Sequence, residues 1–72
     1  MPDSVYKVIE LVGTSTESWE KAAAQAVEKA GEHLRDLRIA AVSDLDMLLS
    51  DDGKVDAYRA KVKVSFKYEG GE

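Results

Sequence analysis

Alternation of apolar and polar positions is clearest near the C-terminal end of the chain. Tyr58, Ala60, Val62, Val64, Phe66 and Tyr68 alternate with Arg59, Lys61, Lys63, Ser65 and Lys67. A period of two predicts a strand with one apolar face and one cationic face. Val5 to Val12 alternates too, with apolar residues in both sets, and predicts a strand covered in part on both sides. Gly13 ends that run. Trp19, Ala23, Val27, Ala30, Leu34 and Leu37 recur at steps of three or four. That spacing predicts one helix, running to about Leu37, with a single apolar stripe. Thr14, which has Glu17 at capping-box distance, and Thr16 compete as its N-cap. Arg38 to Leu49 reads as a second, less regular extended stretch. Ser50-Asp51-Asp52-Gly53-Lys54 reads as a hairpin turn, with Gly53 at a positive φ. Gly70-Gly71-Glu72 reads as a frayed tail.

Connectivity then sets the topology. With the last strand in the centre, every pairing is antiparallel and the order is 1-3-2. The fold class is α+β: a βαββ unit whose three-stranded antiparallel sheet carries one helix on one face. The expected extent is a single domain over residues 1–72, with an ordered core from about 4 to 69. The uncovered face then carries Arg59, Lys61, Lys63 and Lys67 in one row. Such a row repels itself unless acids stand beside it.

Size changes the picture next. Seventy-two residues make one small domain, and chains this short bury too little surface to be robust alone. The helix stripe is rich in alanine, which adds little buried area per residue. Small domains usually gain stability from disulfides, a metal or self-association. No cysteine is present and His33 is the lone histidine. Disulfides, thiolate metal sites and a multi-histidine site within one subunit are therefore excluded. Self-assembly remains as the expected stabiliser.

Charge and chemistry narrow the function. Fourteen acidic against ten basic residues give a net charge of −4, which argues against a nucleic-acid partner. No apolar run approaches the ~20 residues of a membrane span. The N-terminal residues show no signal-peptide pattern, so a cytoplasmic protein is expected. Catalytic groupings are absent: no serine–histidine–aspartate set, phosphate loop or paired catalytic carboxylate stands out. A non-enzyme is expected. His33 falls late in the helix, where a cation complements the dipole. Asp44 and Asp46 share a face if their stretch is a strand, and near a symmetry axis could form a hard-cation site. Asp51-Asp52-Gly53 lacks the full spacing of a calcium loop and reads as a solvated turn.

Several blocks, in order and at matching spacing, resemble the dodecin family. They are Val5-Tyr6-Lys7-Val8-Ile9-Glu10-Leu11-Val12-Gly13-Thr14-Ser15, Ser18-Trp19-Glu20-Lys21-Ala22-Ala23, Leu34-Arg35-Asp36-Leu37-Arg38, Gly53-Lys54-Val55 and Val62-Lys63-Val64-Ser65-Phe66. The resemblance runs from residue 5 to about 69. It implies a hollow homododecamer, with helices outside and sheets facing inward. It further implies binding and storage of flavin (riboflavin or FMN) without turnover, at sites on two-fold axes. Some members of the family bind metal ions, and one branch is described as calcium-binding. The family's flavin-stacking tryptophan aligns with Ile39, and its flavin-reading glutamine with Arg59. Isoleucine has no π face, and arginine donates hydrogen bonds without accepting them. Lys67 falls where flavin-phosphate binders carry a basic residue. Two functions follow: a flavin store, or a dodecin-like shell that has lost flavin binding and instead binds calcium or magnesium or serves as a scaffold.

Overall fold

The computed structural model describes residues 5–67. Its elements are β1 (Tyr6–Ser15), α1 (Trp19–Gly31), β2 (Leu37–Leu49) and β3 (Val55–Lys67). The sheet order is β1-β3-β2, and both pairings are antiparallel. The βαββ topology expected from connectivity is therefore the one observed. Tyr68 and the 70–72 tail lie outside the described residues.

β3 shows why the alternation was so readable. Ala60, Val62 and Val64 are buried beneath the helix, with Tyr58 and Phe66 half-buried at either end. Arg59, Lys61, Lys63, Ser65 and Lys67 occupy the opposite face, as a central strand with one covered side requires. The β2–β3 pairing has three register irregularities: β2 holds an extra residue at Leu37/Ile39 and at Val42/Asp44, and β3 holds one opposite Leu48/Leu49. Each of the two extra residues in β2 shifts the parity of that strand, which accounts for its broken alternation in sequence. The hairpin turn closes as expected. Gly53 has φ 83°, the Ser50 amide donates to the Lys54 carbonyl at 2.8 Å, and the Ser50 hydroxyl donates to Asp52.

The helix is shorter than its apolar spacing suggested. Neither Thr14 nor Thr16 caps it. Thr14 is still in β1, opposite Arg59. Ser18 is the N-cap, and its hydroxyl accepts from the Lys21 amide at 3.0 Å. The Ser15 hydroxyl accepts from the Glu17 amide at 2.9 Å and so shapes the approach. At the other end the helix stops at Gly31, and the Glu32, His33 and Leu34 amides fold back onto the carbonyls of Lys29 and Ala30. Leu34 and Leu37 still pack on the core, but from the connection and from β2. Spacing alone cannot separate a helical stripe from a loop that returns to the same core.

Asp36 makes that return with φ 60°, a left-handed conformation that asparagine and aspartate tolerate better than other non-glycine residues. Asp36→Val is expected to cost about 1–2 kcal/mol, while Asp36→Asn stays within about 0.5 kcal/mol. Urea unfolding at matched protein concentration would check both.

The buried core of the described residues is small: Ala22, Ala26, Ala30, Ala60, Val62 and Val64. Its most buried helix line is Ala22, Ala26 and Ala30, displaced by one position from the expected stripe, with Ala23 and Val27 half-buried beside it. Gly13 explains the displacement. A Cβ there would stand 2.0 Å from the Ala22 carbonyl oxygen and 3.1 Å from the Ala26 Cβ, so backbone meets backbone at this crossing. The helix lies over β1 and β3 and barely reaches β2. No helix of the described residues is long and apolar enough to cross a membrane.

Candidate functional site

The uncovered face of the sheet carries nearly all the residues singled out from sequence. Registers place Tyr6, Val8, Glu10, Val12 and Thr14 on this face of β1, and Ile39, Ala41, Asp44 and Asp46 on this face of β2. The cationic row of β3 runs between them. Acids stand beside it. Glu10 is opposite Lys63, Asp44 opposite Lys61, and Asp46 opposite Arg59. The expected self-repulsion is thus relieved within one subunit, by cross-strand pairing.

The Asp46–Arg59 pair is the best defined. Arg59 Nε donates to Asp46 Oδ1 and Arg59 Nη2 donates to Asp46 Oδ2, each at 2.7 Å. This is the two-bond fork that planar guanidinium and carboxylate groups favour. The hydrogen bonds from Arg59 hold the Asp46 carboxyl below the usual carboxylate range, and the same bonds raise Arg59. Both side chains remain accessible, at 39% and 52% exposure. Lys61 Nζ lies 3.9 Å from Asp44 Oδ2, a looser contact. Lys67, at the far end of β3, is exposed and has Tyr6 opposite it.

A brace sits behind this pair, on the helix side. The Trp19 indole N–H donates to the Asp46 carbonyl oxygen at 3.0 Å. The Trp19 and Tyr58 rings meet edge to face, with centroids 5.0 Å apart. Tyr58 immediately precedes Arg59. The helix N-terminus therefore fixes the backbone on both strands that carry the pair. Trp19 has a packing role, as its place in the apolar spacing suggested, and it does not reach the cationic face. Its hydrogen bond to β2 was invisible in sequence, because it depends on the register of a bulged strand.

Ile39 and Arg59 are not brought together. Ile39 lies opposite Ser65, whereas Arg59 lies opposite Asp46. Six residues of β3 separate these positions, or about 20 Å at ~3.3 Å per residue. One subunit cannot present both to one ring. Ile39 is 59% exposed and offers an aliphatic surface. Asp44 and Asp46 do project from the same face, and each is already matched to a cation. Among the described residues no group of three histidine, cysteine or acidic side chains converges as a metal site. Two carboxylates supply at most four oxygens, against the six to eight that calcium takes. Among the described residues, the carboxylates of one subunit thus supply only part of a hard-cation site. Asp51 and Asp52 belong to the turn; Asp52 accepts from the Ser50 hydroxyl and the Lys54 amide, a satisfied turn acid.

Comparison with known proteins places these features in context. A family model described as Dodecin matches residues 5–69. A calcium dodecin of Mycobacterium tuberculosis is 52% identical over 64 residues, which cover 89% of each chain. The crystal structure of a calcium-chelating immunodominant antigen of that organism, calcium dodecin with a novel calcium-binding site, superposes with a TM-score of 0.82 at 48% identity, covering 96% of this chain and 97% of that one. Dodecin from Streptomyces coelicolor superposes with a TM-score of 0.87 at 31% identity, covering 99% and 100%.

Proposed function

The chain belongs to the dodecin family, and from that premise we propose that it works as a self-assembled dodecameric shell in the cytoplasm that binds calcium without turnover, and not as a flavin store. The observation that carries the reading is the Asp46–Arg59 fork. It engages, within the subunit, two N–H donors and the charge of the side chain at the position where the family reads a flavin's polar edge. Ile39 leaves the other family position without a stacking face. Loss of an aromatic partner removes about 0.5–1.5 kcal/mol per contact beyond area burial. Calcium is favoured because the 52% identical relative is a calcium dodecin. Asp44 and Asp46 are the carboxylates we assign to the ion, with the remaining oxygens coming from other subunits or water.

Arg59 and calcium then compete for the same carboxylate. Arg59→Gln is expected to tighten calcium binding about tenfold, by freeing both Asp46 oxygens and removing a repelling charge. Asp44→Asn with Asp46→Asn is expected to abolish it. Calorimetric titration of the assembled protein measures both. Unchanged affinity in the double variant would move the ion elsewhere, and tighter magnesium than calcium binding would change its identity.

The alternative, storage of riboflavin or FMN with Lys67 on the FMN phosphate, makes the opposite prediction in one simple experiment. A flavin store quenches the fluorescence of its ligand at micromolar protein. The calcium shell leaves that fluorescence unchanged. A shell that binds neither ion nor flavin would be a scaffold.

A further inference from the structure

We propose that Asp46 is the residue that sets ligand selectivity at this end of the sheet, by holding Arg59 away from a flat heterocycle. The inference rests on the reading that flavin is not the ligand, and it says which side chain enforces that. Three observations support it. The fork is bidentate and short, with both bonds at 2.7 Å. It lies at an accessible surface, so the core does not need it. Its strands are braced from behind by Trp19, which hydrogen-bonds the Asp46 carbonyl and rests against Tyr58.

The chemistry follows from the donor inventory. The uracil-like edge of a flavin presents two carbonyl oxygens flanking an N–H. A free guanidinium can donate to those oxygens. A guanidinium forked through Nε and Nη2 has two of its five N–H groups committed, its charge is neutralised, and the carboxylate sets the direction in which the other three point. The brace fixes the Asp46 backbone whether or not a ligand arrives, so the carboxylate starts beside Arg59 and a ligand has to compete with it. The replacement at position 59 therefore does not by itself exclude a flavin. The acid opposite it does.

Riboflavin titration followed by fluorescence quenching tests this in a background with a stacking ring restored. Four variants are compared: Ile39→Trp; Ile39→Trp with Asp46→Ala; the same pair with Arg59→Ala added; and Ile39→Trp with Arg59→Ala. The second is expected to bind riboflavin at least tenfold more tightly than the first. The third is expected to lose that gain and to match the fourth. Equal affinity of the first two variants, absence of quenching in all four, or a gain that survives Arg59→Ala would each overturn the proposal. Solution mass and far-ultraviolet circular dichroism confirm that each variant is assembled and folded before titration. Quenching by the unaltered protein would instead sink the non-flavin reading, and the ratio between variants would still judge Asp46.

Discussion

Gly13→Ala is expected to cost at least about 3 kcal/mol, enough to unfold so small a domain or to prevent its assembly. The added carbon would enter a space already held by the Ala22 carbonyl, at 2.0 Å. Backbone oxygen in a helix cannot turn aside as a long side chain can. Relief requires lifting the helix off β1, and the helix line Ala22, Ala26, Ala30 loses its contact at the same time. The effect is one of space alone, since Gly13 is not among the residues with positive φ. Two other glycines make the comparison clean. Gly53 has open space around its Cβ position but φ 83°, so Gly53→Ala is expected to cost only about 1–2 kcal/mol. Gly31 ends the helix with ordinary φ and nothing nearer than the Leu37 Cδ1 at 4.0 Å; Gly31→Ala is expected to stabilise by up to about 1 kcal/mol. Urea melts of the three variants, at one protein concentration, give the order Gly31→Ala above the unaltered protein, Gly53→Ala below it, and Gly13→Ala least stable. A Gly13→Ala protein that melts with the Gly53→Ala one would mean that the helix slides without penalty.

What was legible in the sequence divides along physical lines. β3 was readable because a central strand with one covered face must alternate, and every residue from Tyr58 to Phe66 obeys that. The turn at Gly53 was readable because few residues tolerate its backbone angle. β2 was not, since each of its bulges reverses which side chains face the helix. The helix was over-extended for a different reason: Leu34 and Leu37 serve the same core from outside the helix, so the apolar spacing continues after the hydrogen bonds stop. At the candidate site, the cationic row and its need for acids followed from alternation alone. Which acid meets which cation did not, because Asp46 meets Arg59 only after the Val42/Asp44 shift. The same shift sets the hydrogen bond from Trp19 to Asp46.

Leu45→Asp is expected to reduce the solution mass from near twelve subunits of 7.9 kDa to that of isolated chains, and to leave those chains largely unfolded. The reason lies in how little one subunit buries. Its largest fully buried side chains are Val62 and Val64, and no leucine, isoleucine or aromatic residue among the described ones is buried. Meanwhile β2 after Leu37 is exposed throughout, including Ile39, Val42, Leu45, Met47, Leu48 and Leu49. Registers place Val42 and Leu45 on the helix side, opposite Val62 and Ala60, and Ile39 on the cationic side, opposite Ser65. The helix side of β2 is thus apolar, but this helix barely reaches it, and the cationic side mixes Ile39 with Asp44 and Asp46. The result is an open groove of about 470 Å³ between Trp19, Glu20, Ala23, Val42 and Leu45, with a second of about 350 Å³ on the β1 side of the helix, lined by Ile9, Leu11, Ala30 and Leu34. Covering a half-exposed leucine is worth about 1 kcal/mol, and a closed shell repeats that gain in every subunit. An aspartate at position 45 would have to be buried without a partner in each copy, a cost of several kcal/mol each. Size-exclusion chromatography with light scattering reads the mass, and circular dichroism reads the fold. If the variant keeps the full mass, β2 is not the adhesive surface. If it dissociates into chains that stay folded and melt cooperatively, the small alanine-valine core is sufficient, and assembly serves the ligand site rather than stability.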